Sequence, residues 1–207
     1  MEQNKEWKEC NAQVFWGEIA STDHLVQIYD DVNTFLNTLG RFAASGFVAG
    51  DAVIIIATAE HLKALEMRLQ LTGLDINTLK MINQYIPVNA KDALAKFMVN
   101  DVPDETLFKE FVSSLISRAR KNSGRVRAFG EMVAILWDQG NKNATIELEQ
   151  LWNRFCQTEA FCLFCAYPKK GFSEDASDSL QDICTSHSKV LGGWNNSSTK
   201  IFYKQSV

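Results

Sequence analysis

The sequence predicts an α/β domain built on a mostly parallel sheet with helices on both faces. Two apolar runs, Ala52-Val-Ile-Ile-Ile-Ala57 and Phe161-Cys-Leu-Phe-Cys-Ala-Tyr167, are continuous rather than alternating. Strands of that kind are buried on both faces, as in parallel sheets covered by helices. Between the strand-like runs lie stretches with apolar residues at helical spacing, and regular strand–helix alternation is the pattern of a doubly wound sheet. The 207 residues contain no internal repeat and no low-complexity linker, so one domain is expected.

The elements follow in order. Residues 1–20 are mostly polar with three large apolar residues, Trp7, Phe15 and Trp16, and read as an arm packed on a domain spanning 21–191, with 192–207 as a tail. His24-Leu-Val-Gln-Ile-Tyr29 is a strand, and Asp31 or Asn33 can cap a helix over 32–45 with Phe35, Leu36, Leu39 and Phe42 on its apolar face. After Gly46 and Gly50 comes the strand 52–58, then a helix over 59–71 stopped by Gly73. A short strand is expected at 81–88, followed by helices over 90–99 and 104–122 on either side of Pro103. The pattern resumes with a strand at 125–129, helices at 131–138 and 141–157, a strand at 161–167 closed by Pro168, and a last helix over 175–190. Trp137 and Trp152 fall at helical positions among other apolar residues and belong to the core.

Composition narrows the function. A net charge of −4 argues against a dedicated nucleic-acid binder, which carries a basic excess. The basic group Arg118, Arg120, Lys121, Arg125 and Arg127 falls largely at a helix end, where cations complement the helix dipole. The longest apolar run is far too short to span a bilayer, and Met1-Glu-Gln-Asn-Lys5 leads into no signal region. A cytoplasmic location without membrane contact is expected. Five cysteines, an odd number, do not make a disulfide framework in a reducing compartment.

Several site signatures are missing. There is no G-x-x-x-x-G-K-[ST] loop, no G-x-G-x-x-G, no H-E-x-x-H and no G-x-S-x-G. The first strand–helix junction, where α/β proteins cradle phosphate on backbone amides, reads Tyr29-Asp-Asp-Val-Asn33. It offers no glycine for close backbone approach, and its two carboxylates repel phosphate. Nucleotide affinity no better than about millimolar is expected. Cys162-x-x-Cys165 and Cys184-x-x-His187 have zinc-like spacing, but residues three apart on a strand point to opposite faces. Buried core thiols, with no metal and no cofactor, are the expectation.

With these residues in view, the chain resembles the MEDS domain, a sensory domain named after methanogen and methylotroph regulators. The resemblance is carried by His24-Leu-Val-Gln-Ile-Tyr29, by Gly50-Asp-Ala-Val-Ile-Ile-Ile-Ala-Thr58 with His61, and by Arg127-Ala-Phe-Gly-Glu-Met-Val133 with Leu136-Trp137. Gly140-Asn141, Leu148-Glu-Gln-Leu-Trp-Asn153, Cys165-Ala-Tyr-Pro168, Ile183-Cys184 and His187-Ser188 extend it, over about residues 24–190. It implies a RecA-like fold, similar to the circadian-clock ATPases but without their phosphate loop. It also implies the sensing of small organic molecules ahead of a histidine kinase or a transcription regulator. Families of this kind carry an output domain, whereas this chain ends shortly after the matching region; it acts as a stand-alone partner or is a piece of a longer protein.

Ligands of open parallel sheets bind outside the carboxyl ends of the strands. The candidate ligand-binding residues there are Tyr29, Asp30, Thr58, His61, Phe129, Glu131 and Tyr167, together with His24 and Arg127. Tyr29, Phe129, Glu131 and Tyr167 are expected to converge on one cavity. Arg127, between apolar neighbours on a strand, needs a carboxylate, for which Glu131, Asp30 and Glu149 are candidates. The reading is a non-enzymatic sensory module with a small organic ligand and a signalling partner, in which a homodimer is also open. The alternative is a degenerate ATPase-like interaction module with no small-molecule ligand, which expects a filled strand-end crevice and an exposed apolar surface. An enzyme using Glu131 or Asp30 as a base is the third reading.

Overall fold

The computed structural model describes residues 7–10, 16, 19–171, 187–192 and 200–204. Its strands are β1 (Trp7–Cys10), β2 (His24–Tyr29), β3 (Ala52–Ala57), β4 (Tyr85–Asn89), β5 (Met98–Val99), β6 (Val102–Pro103), β7 (Val126–Gly130), β8 (Cys162–Pro168), β9 (Lys189–Gly192) and β10 (Lys200–Lys204). The helices are α1 (Val32–Val48), α2 (Ala59–Leu71), α3 (Ile76–Met81), α4 (Ala90–Phe97), α5 (Glu105–Arg120), α6 (Met132–Asp138) and α7 (Lys142–Glu159). The main sheet runs β1-β10-β9-β2-β8-β7-β3-β4. From β9 to β4 every pairing is parallel; β10 and β1 join antiparallel at the β9 edge.

Side-chain alternation along the central strands feeds two cores. Ile54, Ile56, Ala128, Leu163, Cys165 and Tyr167 face α4, α5, α6 and α7. Val53, Ile55, Phe129, Cys162 and Phe164 face α1, α2 and α3. Cys162 and Cys165 thus lie on opposite faces, as strand geometry requires. Trp152 packs edge-on against Phe108, with ring centroids 4.9 Å apart, in the first core. Among the described residues no helix is long and apolar enough to cross a membrane.

Where the structure departs from the sequence reading, local chemistry explains it. The region read as a strand over 81–88 begins as the end of α3, which Asp75 caps through the Asn77 and Thr78 amides. Asn83, at φ 56°, then turns the chain into β4. The helix over 90–99 stops at Phe97 because Asn100 and Asp101, both at positive φ, close a two-residue hairpin between β5 and β6. Most of the helix read over 175–190 lies outside the described residues. His187 and Ser188 are not helical: they form a bend, and Val190 and Leu191 follow in β9. The Ser188 amide donates to the His24 carbonyl at 2.7 Å, starting the pairing of β9 on β2. Trp7–Cys10 and Lys200–Lys204, read as parts of an arm and a tail, pair with each other at the sheet edge.

Candidate functional site

A cleft of about 520 Å³ opens at the carboxyl ends of β2, β3, β7 and β8. Tyr29, Asp30 and Val32 come from the β2–α1 junction, Thr58 and His61 from the start of α2, and Pro168 and Lys170 from the end of β8. The remaining wall is α6 with its N-cap residue Glu131: Glu131, Ala134, Ile135 and Asp138 stand at i, i+3, i+4 and i+7 and so share one face. Sequence reasoning missed Ala134, Ile135 and Asp138, although that spacing from Glu131 was the signal. Lys91, also missed, reaches the rim from the start of α4.

The polar centre of the cleft is Glu131. Its amide donates to the Ile56 carbonyl at 2.9 Å, which fixes the turn out of β7. The carboxylate then reaches across to α2: Oε2 accepts from the Thr58 amide at 2.8 Å, and Oε1 lies 2.7 Å from His61 Nδ1. It therefore sits at the amino end of α2, where the helix dipole favours negative charge. Thr58 caps the same helix through its own hydroxyl, which accepts from the His61 amide at 3.3 Å. Tyr29 stacks on Phe35 with ring centroids 4.7 Å apart. Burial first, and then the charges of Glu131 and Asp138, push its phenol up to about 12, so it stays a neutral hydrogen-bonding group.

Tyr29, Asp30, Thr58, His61 and Glu131 thus meet at one cleft, and the other candidates lie elsewhere. Phe129 is fully buried beneath it, against Phe35 and Phe164. Tyr167 points to the α7 side of the sheet and donates its hydroxyl to Glu149. Both are one residue short of the strand end, so alternation sends them into the cores. The expected convergence of Tyr29, Phe129, Glu131 and Tyr167 therefore fails for Phe129 and Tyr167. Arg127 pairs with Asp51, not with Glu131, Asp30 or Glu149: its Nε lies 2.6 Å from Asp51 Oδ2, below the strand's amino end. His24, the first residue of β2, is buried beside Cys165 and Glu149.

The β2–α1 turn is closed by Asp31, whose carboxylate accepts from the Thr34 amide at 2.8 Å. Asp30 lies 3.3 Å from Lys169. This helix start is thus occupied by the chain's own carboxylate.

The hydrogen bond to Glu131 is the main reason the His61 imidazole is raised above its ordinary pKa, against the opposing effect of burial. The folded state therefore holds this proton more tightly than the unfolded chain. The resulting stability is fully present below the ordinary imidazole value of about 6.5 and is lost as pH rises through the folded value. Glu131→Gln should bring the His61 titration, followed by NMR, back toward the ordinary value. The difference in melting temperature between wild type and Glu131→Gln should shrink from about pH 6 to about pH 9. An unchanged His61 titration in the variant would show that the pair does not form.

The fold has solved counterparts. A protein from Pyrococcus horikoshii OT3 superposes with a TM-score of 0.56 at 13% identity, over 88% of this chain and 87% of that one. A KaiC-like protein of the same archaeon gives a TM-score of 0.54 at 10% identity, over 87% of this chain and 77% of that one. At such identities the likeness concerns the fold, which is RecA-like. No curated protein sequence matches the chain significantly. The family model of the methanogen/methylotroph, DcmR sensory domain matches residues 23–188, from the residue before β2 to the residue before β9, and the chain belongs to that family, MEDS.

Proposed function

We propose that the chain is a non-enzymatic sensory module that binds a small organic ligand in the strand-end cleft and passes the change to a signalling partner, a histidine kinase or a transcription regulator. One observation carries this reading: the crevice that an interaction module without a ligand would fill is an open cleft of about 520 Å³. That volume falls within the roughly 300–1,000 Å³ of small-molecule sites. Its walls combine the apolar Val32, Ala134, Ile135 and Pro168 with the polar tips of Tyr29, Thr58, His61 and Glu131. A few fixed polar groups in an apolar wall orient a small ligand. The residues come from several strand ends and from α2 and α6, so a ligand that bridges them couples separate elements. A change in their relative population is what a partner would read.

The test is a thermal-shift screen of the full chain with short-chain alcohols, amines and carboxylates, alongside ATP with magnesium. At least one organic probe should raise the melting temperature with a saturable dose response. Ile135→Trp fills the cleft from the α6 wall and should abolish that response while the unliganded protein melts near the wild-type temperature. Stabilisation by ATP alone, or an organic-probe response that survives Ile135→Trp, would defeat the assignment.

A further inference from the structure

A second cluster of reactive side chains lies between β2 and β8 on the α7 side of the sheet, and none of its members lines the cleft. His24, Glu149, Cys165 and His187 are all buried, and their ligating atoms lie within 4.8 Å of one another. Glu149 Oε2 is 3.7 Å from Nε2 of His24 and 3.7 Å from Nε2 of His187. The Cys165 sulfur is 3.6 Å from His24 Nε2. The nitrogen–oxygen separations are too long for hydrogen bonds. They match the edges of a tetrahedron, roughly 3.3–3.8 Å, around an ion with bonds of about 2.0–2.3 Å to nitrogen, oxygen and sulfur.

The surroundings aim these atoms inward. Tyr167 donates its hydroxyl to Glu149 Oε1, which turns Oε2 toward the cluster. Glu149 Oε2 is buried and has no hydrogen-bond partner among the described residues. Asn153, one helical turn after Glu149 on α7, places its Oδ1 3.4 Å from His24 Nδ1. Hydrogen bonds to the far side of ligating imidazoles and carboxylates fix the orientation and tautomer of metal ligands.

We propose that His24, Glu149, Cys165 and His187 form a closed, four-coordinate site for a divalent transition-metal ion, zinc first. Two neutral imidazoles, a thiolate and a carboxylate carry two negative charges, which a divalent ion cancels inside the core; the thiol and carboxyl protons pass to solvent on loading. Mixed nitrogen, sulfur and carboxylate donors suit zinc, and four protein ligands leave no open coordination position, so the ion is structural. The ligands come from the start of β2, the middle of β8, α7 and the bend before β9. The ion would therefore fasten α7 and the β9 edge to the centre of the sheet. The expectation of core thiols without metal rested on Cys162 and Cys165 as a pair. It left out Glu149 and His24, which only the tertiary fold brings to Cys165.

The experiment uses the full chain stripped with chelator and then titrated with cobalt(II) or zinc(II). Cobalt should bind at about one equivalent, with the intense visible bands of tetrahedral coordination and a near-ultraviolet thiolate-to-cobalt band. Zinc should displace it and raise the melting temperature. Cys165→Ser should remove the thiolate band and weaken zinc binding by more than about 100-fold, whereas Cys162→Ser, on the opposite face, should keep both. His187→Ala should lose the zinc-dependent rise in melting temperature. A wild-type cobalt spectrum without a thiolate band would overturn the proposal, whatever the variants do. So would a thiolate band that survives in Cys165→Ser.

Discussion

Asp51→Ala is expected to destabilise the protein by about 3–5 kcal/mol, because it strands a guanidinium in the interior. Arg127 and Asp51 are 3% and 2% exposed. Arg127 Nε donates to Asp51 Oδ2, its Nη1 donates to Ser45 Oγ at 3.0 Å, and its guanidinium lies over the Phe42 ring at 5.8 Å. α1 packs directly on the pair at Gly46, where a Cβ would meet Arg127 Cδ at 3.1 Å and Val53 at 2.8 Å. Arg125, largely exposed, chelates the same carboxylate and contributes less. A chain of this size should lose roughly 6–20 °C in melting temperature. Asp51→Asn keeps the shape and should recover only part of the loss. The double variant Asp51→Ala/Arg127→Met should be more stable than the sum of the single changes implies, since no buried charge remains. A strictly additive double variant would show that the two charges do not act as a pair.

That pair also shows which part of the molecule the sequence discloses. The need of Arg127 for a carboxylate followed from its place in an apolar strand. Which carboxylate did not, because Asp51 precedes β3 by one residue and meets Arg127 only through the parallel pairing of Val53 with Arg127. The central strands and most helices were legible because their signals are local: continuous apolar runs, helical spacing, and the cap at Asp31. Register across strands is not local. Tyr167 and Pro168 are neighbours in sequence, but only Pro168 lines the cleft, and one residue of alternation decides it. Glu131 was legible as a strand-end residue. Its grip on Thr58 and His61 was not, since it depends on β3 and β7 being adjacent, which no local pattern specifies. The edge strands were the least legible, because Trp7–Cys10 and Lys200–Lys204 are short, lie at opposite ends of the sequence, and become strands by pairing, β1 with β10 and β10 with β9.

Ile54→Ala, in the middle of β3, is expected to cost about 2–5 kcal/mol. Ile54 is 1% exposed and stands between Ile86 of β4 and Ala128 of β7, with its side chain in the core beneath α4 and α5. Both flanking strands are held by backbone ladders, so the space left by the lost carbons cannot close, and the cavity adds to the transfer cost. The neighbours cannot compensate: Ala128 is small, and Ile86 is itself fully buried. The urea midpoint should fall by about 1 M or more, with the slope unchanged. Ile56→Val, two residues along the same face, removes a single methylene and should cost only about 0.5–1.5 kcal/mol. The pair of variants separates a packed central strand from a tolerant one, because a tolerant strand would give small and similar losses at both positions. An Ile54→Ala midpoint within error of wild type would mean that β3 does not run between β7 and β4, and the parallel order of the sheet would have to be redrawn.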